Sequence, residues 1–148
     1  MSKVITTIIF LAMSSPLFAD THEERCDEFI NSEISRLEYT MANAENKHSE
    51  LINSMFNKFE KQNSEALAKL AKAQIDLTLS KVQPKIEKAK FLPLEIKKNI
   101  EQVEIRNNIC SNRELLVNLI DSSILKYMQL QKSLRLAARA TLLKLKNG

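Results

Sequence analysis

Asn43-Ala44-Glu45-Asn46-Lys47-His48-Ser49-Glu50 is the stretch on which the fold turns. It has one apolar residue in eight, and it lies inside residues 21–83, which contain neither glycine nor proline. Before it, Cys26, Ile30, Ile34, Leu37, Met41 and Ala44 step by three and four, which marks one face of a helix. After it, Ile52, Met55, Phe56, Phe59, Leu67, Leu70, Leu77 and Val82 keep the same period with a change of phase. The polar stretch is either the exposed part of one long helix or a turn between two.

The cysteines discriminate between these alternatives. The chain has two, Cys26 and Cys110, and in an exported protein such a pair is most simply one disulfide. An unbroken helix from 22 to 83 would be about 90 Å long, while a return helix over 93–109 covers only about 25 Å, so Cys110 could not reach Cys26. A reversal near Asn43 to His48 brings the two cysteines level. The expectation is therefore an intramolecular bridge and a broken first helix together; the alternative is an elongated helical hairpin or coiled-coil rod with free or intermolecular thiols.

Outward from there, Thr21 with Glu24 forms a capping-box pattern, and Glu23, Glu24, Asp27 and Glu28 suit a helix N-terminus. Pro84 ends the second segment. Pro93 suits the first position of a third helix, with Phe91 poised to pack on Ile96 as a hydrophobic staple. Ser111 with Glu114 is a second capping box, opening a last helix with a stripe of Leu116, Leu119, Ile120, Tyr127, Leu130, Leu134, Ala138, Leu142 and Leu145. The expected fold is an all-α, exported antiparallel bundle of three to four helices, over about 21–44, 48–83, 93–109 and 112–146.

Composition agrees. The single glycine among 148 residues is Gly148, so hairpin turns, bulges and phosphate-cradling loops lack the residue that supplies positive φ, and all-β or doubly wound α/β folds are excluded. Residues 1–19 resemble a secretory leader: Lys3, an apolar run from Val4 to Met13, then Ser14, Ser15, Pro16 and a small residue, Ala19. From Val4 to Ala19 the stretch falls short of the roughly 20 residues needed to cross a bilayer. Cleavage after Ala19 would leave a single helical domain, 20–148, in the periplasm or secreted.

The net charge of +4 is unevenly spread. Residues 20–60 carry ten acidic and four basic side chains, whereas residues 122–148 carry six basic and no acidic ones. On a helical projection, Lys132, Arg135, Arg139 and Lys146 gather in one arc opposite the apolar stripe, with Leu136 and Leu143 beside it. This arc is either a solvated face complementing the acidic first helix, or a contact surface for an acidic protein partner or an anionic membrane. Nucleic acid is not expected: Tyr127 is the only aromatic residue after Phe91, and base stacking needs more. A second candidate contact is the apolar knob Phe91 and Leu92, which has lysines on both sides.

Catalytic and metal signatures are sparse. The only histidines are His22 and His48. Glu45 and His48 have the Glu-x-x-His spacing of one helix of a di-iron site, but the second pair is missing. His22 and Cys26 offer two ligands, too few for structural zinc. No haem attachment motif and no nucleophile elbow occur. The sequence therefore points to a non-enzymatic binding or adaptor protein without metal or cofactor. An envelope-assembly component or a chaperone-like binder fits that description; in outline the chain is similar to small helical chaperones of the bacterial envelope, and its oligomeric state stays open.

Overall fold

The computed structural model describes residues 2–147, with side chains from Glu23 onward. The leader expected over 1–19 and the capping box expected at Thr21 lie outside the described side chains. Five helices follow one another: α1 (Ser2–Gln62), α2 (Glu65–Lys90), α3 (Leu92–Ile100), α4 (Val103–Ser111) and α5 (Glu114–Asn147). No strand occurs among the described residues, and the fold is an all-α bundle.

The chain runs down α1, climbs through α2, α3 and α4, and descends again in α5. α5 therefore lies parallel to α1 and antiparallel to α2, and packs against both. Ion pairing of Arg36 with Asp121 near the upper end, and the approach of Met55 and Phe59 to Leu142 and Leu143 near the lower end, fix this parallel register. The disulfide joins Cys26 to Cys110 across 84 residues, with the two Cα atoms 5.8 Å apart. Beside it, Arg106 pairs with Asp27.

The first reversal is real but misplaced by the sequence reading. The expected boundary between helices 21–44 and 48–83 does not exist; α1 continues through Asn43–Glu50, and the turn falls at Asn63–Ser64. There the Asn63 side-chain amide donates to the Phe59 carbonyl at 2.8 Å, and the Ser64 hydroxyl accepts from the Leu67 amide at 3.2 Å. One side chain closes the outgoing helix and the next caps the incoming one. The reach argument still holds: Cys26 to Gln62 descends about 54 Å, which the ascending helices must recover.

In line, those ascending helices would span about 66 Å, more than the descent requires. The chain absorbs the surplus at two corners. Phe91 closes α2 and opens α3, and Glu101–Gln102 separates α3 from α4, so the expected helix 93–109 is two short ones. Gln102 is extended, at φ −67° and ψ 126°. Pro84 does not end α2 but lies inside it with its ring exposed. Proline has no amide to offer the Ser80 carbonyl one turn back, and Ser80 lies on the exposed face. The capping box expected at Ser111 and Glu114 is also absent. Ser111 is the last residue of α4, and the carbonyls of Asn112 and Arg113 receive the first amides of α5.

The buried side chains share a period that explains the straight packing. In α5 they are Leu116, Ile120, Ser123, Tyr127, Gln131, Leu134, Ala138 and Leu142, and every member from Tyr127 on lies 11 residues after an earlier one. Leu37, Met41 and His48 recur in α1 as His48, Ile52 and Phe59, and Ile75 recurs in α2 as Ile86. Eleven residues in three turns is 3.67 per turn, close to the natural 3.6, so the helices pack with little supercoil. Every described residue has negative φ, so no corner demands a glycine.

Candidate functional site

α5 carries the basic side chains, and its parallel course beside α1 decides what they meet. The acidic half of α1 lies at the upper, disulfide-bonded end; the basic half of α5 lies at the lower end. Among the described residues, those of the upper end (23–46 and 82–121) hold 9 cations and 13 carboxylates, and those of the lower end (47–81 and 122–147) hold 12 cations and 4 carboxylates. The basic tail therefore does not complement the acidic first helix. Arg36, Lys90 and Arg106, all in the upper part, pair with Asp121, Glu45 and Asp27 from other elements. Among the described residues, none of the six α5 cations Lys126, Lys132, Arg135, Arg139, Lys144 and Lys146 forms an ion pair.

Three members of the expected arc, Lys132, Arg139 and Lys146, are exposed. Arg135 is not a fourth solvated cation. It is half-buried at the α1–α5 seam, and its Nε is sealed from water without a hydrogen-bond acceptor. Leu136 and Leu143 are half-exposed beside these cations, and Leu125 and Met128 extend the exposed apolar series up the same helix.

Between α1 and α5 these residues border a groove. Its upper part, about 330 Å³, is lined by Leu51 and Met55 from α1 and by Arg135, Leu136 and Arg139 from α5. Its lower part, about 240 Å³, shares Met55 and Arg139 and adds Lys58, Phe59, Gln62, Leu142, Leu143 and Lys146. Its lining contains four cations, several large apolar side chains and no carboxylate.

The knob at Phe91 and Leu92 divides. Phe91 is 59 % exposed and makes no staple on the buried Ile96, whereas Leu92 packs against the core and buried Pro93 takes the first turn of α3. Phe91 and Leu94 are exposed there, near the level of Glu45, which Lys90 reaches, and outside the groove lining.

Sequence reasoning missed a polar layer at mid-height. His48, Ser123 and Gln131 occupy buried positions. The Gln131 amide donates to the Tyr127 hydroxyl at 3.0 Å, and burial pushes the Tyr127 phenol above its ordinary range. Lys90 reaches Glu45 at 2.8 Å, and this contact raises its affinity for the proton. His48 is 8 % exposed, and its Nδ1 has no partner. Burial lowers its pKa below 6.5, and the positive charges of Arg135 and Lys47 add to the shift.

A histidine held neutral in the fold takes up its proton more readily when unfolded. The unfolded chain then binds more protons as pH falls below about 6.5, and stability declines with it. Urea midpoints measured from pH 7.5 to 5 should fall in that window, and His48→Gln should flatten the fall; parallel curves for the two proteins would refute the assignment.

Among the described residues there is no group of three or more His, Cys, Asp or Glu that could hold a metal. No described helix is long and apolar enough to cross a membrane. Comparison of the chain with protein-family models, with curated proteins and with solved structures finds no match.

Proposed function

We propose that the protein is a non-enzymatic, exported binding protein, an adaptor or chaperone-like component that holds an acidic protein partner with its C-terminal helix. The observation that carries this proposal is the state of the α5 cations. Six positive side chains and four half-exposed apolar ones share the lower part of one helix, and no carboxylate among the described residues pairs with them. Like charges held together cost folding stability, and a partner of opposite sign recovers that cost on binding. The leader-like residues 1–19 and the Cys26–Cys110 bridge support an extracytoplasmic site of action.

Lysine-directed cross-linking in cells producing the protein, followed by mass mapping, tests the proposal. Partner cross-links should concentrate at Lys132, Lys144 and Lys146 rather than at Lys69, Lys72 or Lys97. The double variant Lys132→Glu/Lys146→Glu should recover at least tenfold less partner. Equal recovery by the variant and the unaltered protein would sink the proposal, and recovery of anionic lipid in place of protein would replace the partner class.

A further inference from the structure

The groove is more specific than its charge. Its two parts share Met55 and Arg139, so they form one channel along the lower halves of α1 and α5. From Leu51 to Gln62 it runs about 16 Å, or three helical turns. Because the buried residues of both walls follow an 11-residue period, the walls run nearly straight. Two parallel helices make a concave seat for a third convex rod, and a helix laid there would add a fourth column to the bundle.

The chemistry of the walls selects the rod. Leu51, Met55 and Phe59 offer the apolar floor, and Lys58, Arg139 and Lys146 stand along the rim. At the upper end Arg135 lines the groove without an ion-pair partner among the described residues, so a carboxylate seated there meets an uncompensated guanidinium. A flat bilayer suits this surface poorly. Its acyl chains cannot follow a concave floor, and Arg139, between Leu136 and Leu143 on the same face, would be carried into the apolar layer with them.

We infer that the α1–α5 groove seats an amphipathic acidic helix of three to four turns, with its leucine-type residues on the floor and its Asp or Glu side chains against Arg135, Arg139 and Lys146. This inference rests on the proposed function and names the partner class of the same helix.

The test uses the full oxidised chain and a panel of fluorescently labelled 20-residue helical peptides whose leucine seams, at seven- and eleven-residue spacing, are flanked by glutamates. Controls are scrambled peptides of the same composition, lysine-for-glutamate peptides, and phosphatidylglycerol vesicles. At least one seamed acidic peptide should bind and gain helicity, and its scrambled form should bind at least tenfold more weakly. Arg139→Glu, in the groove, should weaken binding at least tenfold. Lys72→Glu makes the same charge change at the same end of the bundle, on α2 and outside the groove lining, and should weaken it less than threefold. Thermal melts of both variants show that they fold.

Equal losses in the two variants, or equal binding of seamed and scrambled peptides, would overturn the groove and leave a general attraction to acidic partners standing. Preference for the vesicles over every peptide would overturn it in favour of lipid. Failure of all acidic peptides also overturns it, while the cross-linking experiment judges the broader proposal separately.

Discussion

Reduction of the Cys26–Cys110 bridge, or its replacement by Cys26→Ser/Cys110→Ser, is expected to cost about 4 to 5 kcal/mol, the chain-entropy value for a loop of this size. For a domain of this length that corresponds to a fall in Tm of about 10 to 15 °C. The size of the effect follows from what the bond spans. Its 84-residue loop contains most of α1, all of α2 and α3, and nearly all of α4, so without it the unfolded chain regains the freedom to separate the two ends of the whole ascending column. Oxidised and reduced samples compared by thermal denaturation, with the cysteine pairing confirmed by non-reducing mass mapping, give the number. A shift below about 3 °C would mean that the upper end is held by packing alone.

Leu37→Ala should destabilise by about 3 kcal/mol, within the 2 to 5 kcal/mol seen when a large buried aliphatic side chain is truncated. Leu37 is 0 % exposed, and its neighbour Arg36 reaches Asp121 of α5. Two residues along, Tyr39 is 70 % exposed, and Tyr39→Ala should change stability by no more than about 0.5 kcal/mol. Urea titration of the pair tests the phase of α1 as well as its burial. A helix rotated by a quarter turn would shrink the difference between the two substitutions, and equal effects would contradict the packing described above.

The helical class and the bonded cysteines were legible because they depend on long-range regularities: periodic apolar residues, the absence of internal glycine, and the distance the chain must travel to bring Cys110 back to Cys26. The position of the turn was not. Asn43–Glu50 is polar because most of that face of a continuous helix meets water, and polarity alone does not break a helix. The true corner needs only Asn63 and Ser64, two residues whose capping geometry is local and inconspicuous. Pro84 misled for a related reason. Proline forbids one hydrogen bond, and on an exposed face water replaces it.

The candidate surface was legible as a list of cations but not as a groove. Arg135 counted as one of four equivalent charges, whereas the seam with α1 sets it apart from the exposed Lys132, Arg139 and Lys146. Ser123 and Gln131 escaped notice because an apolar stripe was sought. The stripe leaves a seven-residue gap from Ile120 to Tyr127, and a helix cannot cross seven residues without turning one of them inward, which was the signal for Ser123. Gln131 gave no such signal, because Leu130, packed against the core, already fills the interval from Tyr127 to Leu134.

Beyond the chain's own turns, the bundle has one covalent cross-link, Cys26–Cys110, at its upper end. Below Cys26–Cys110, α1 and α5 run side by side for about 50 Å, joined by the Arg36–Asp121 ion pair near the top and by side-chain packing further down. The lower ends of α1 and α5, where the apolar channel opens between Phe59 and Leu143, carry no such cross-link. A partner seated there would do at that end what the disulfide does at the other, holding two elements of the bundle at a fixed spacing.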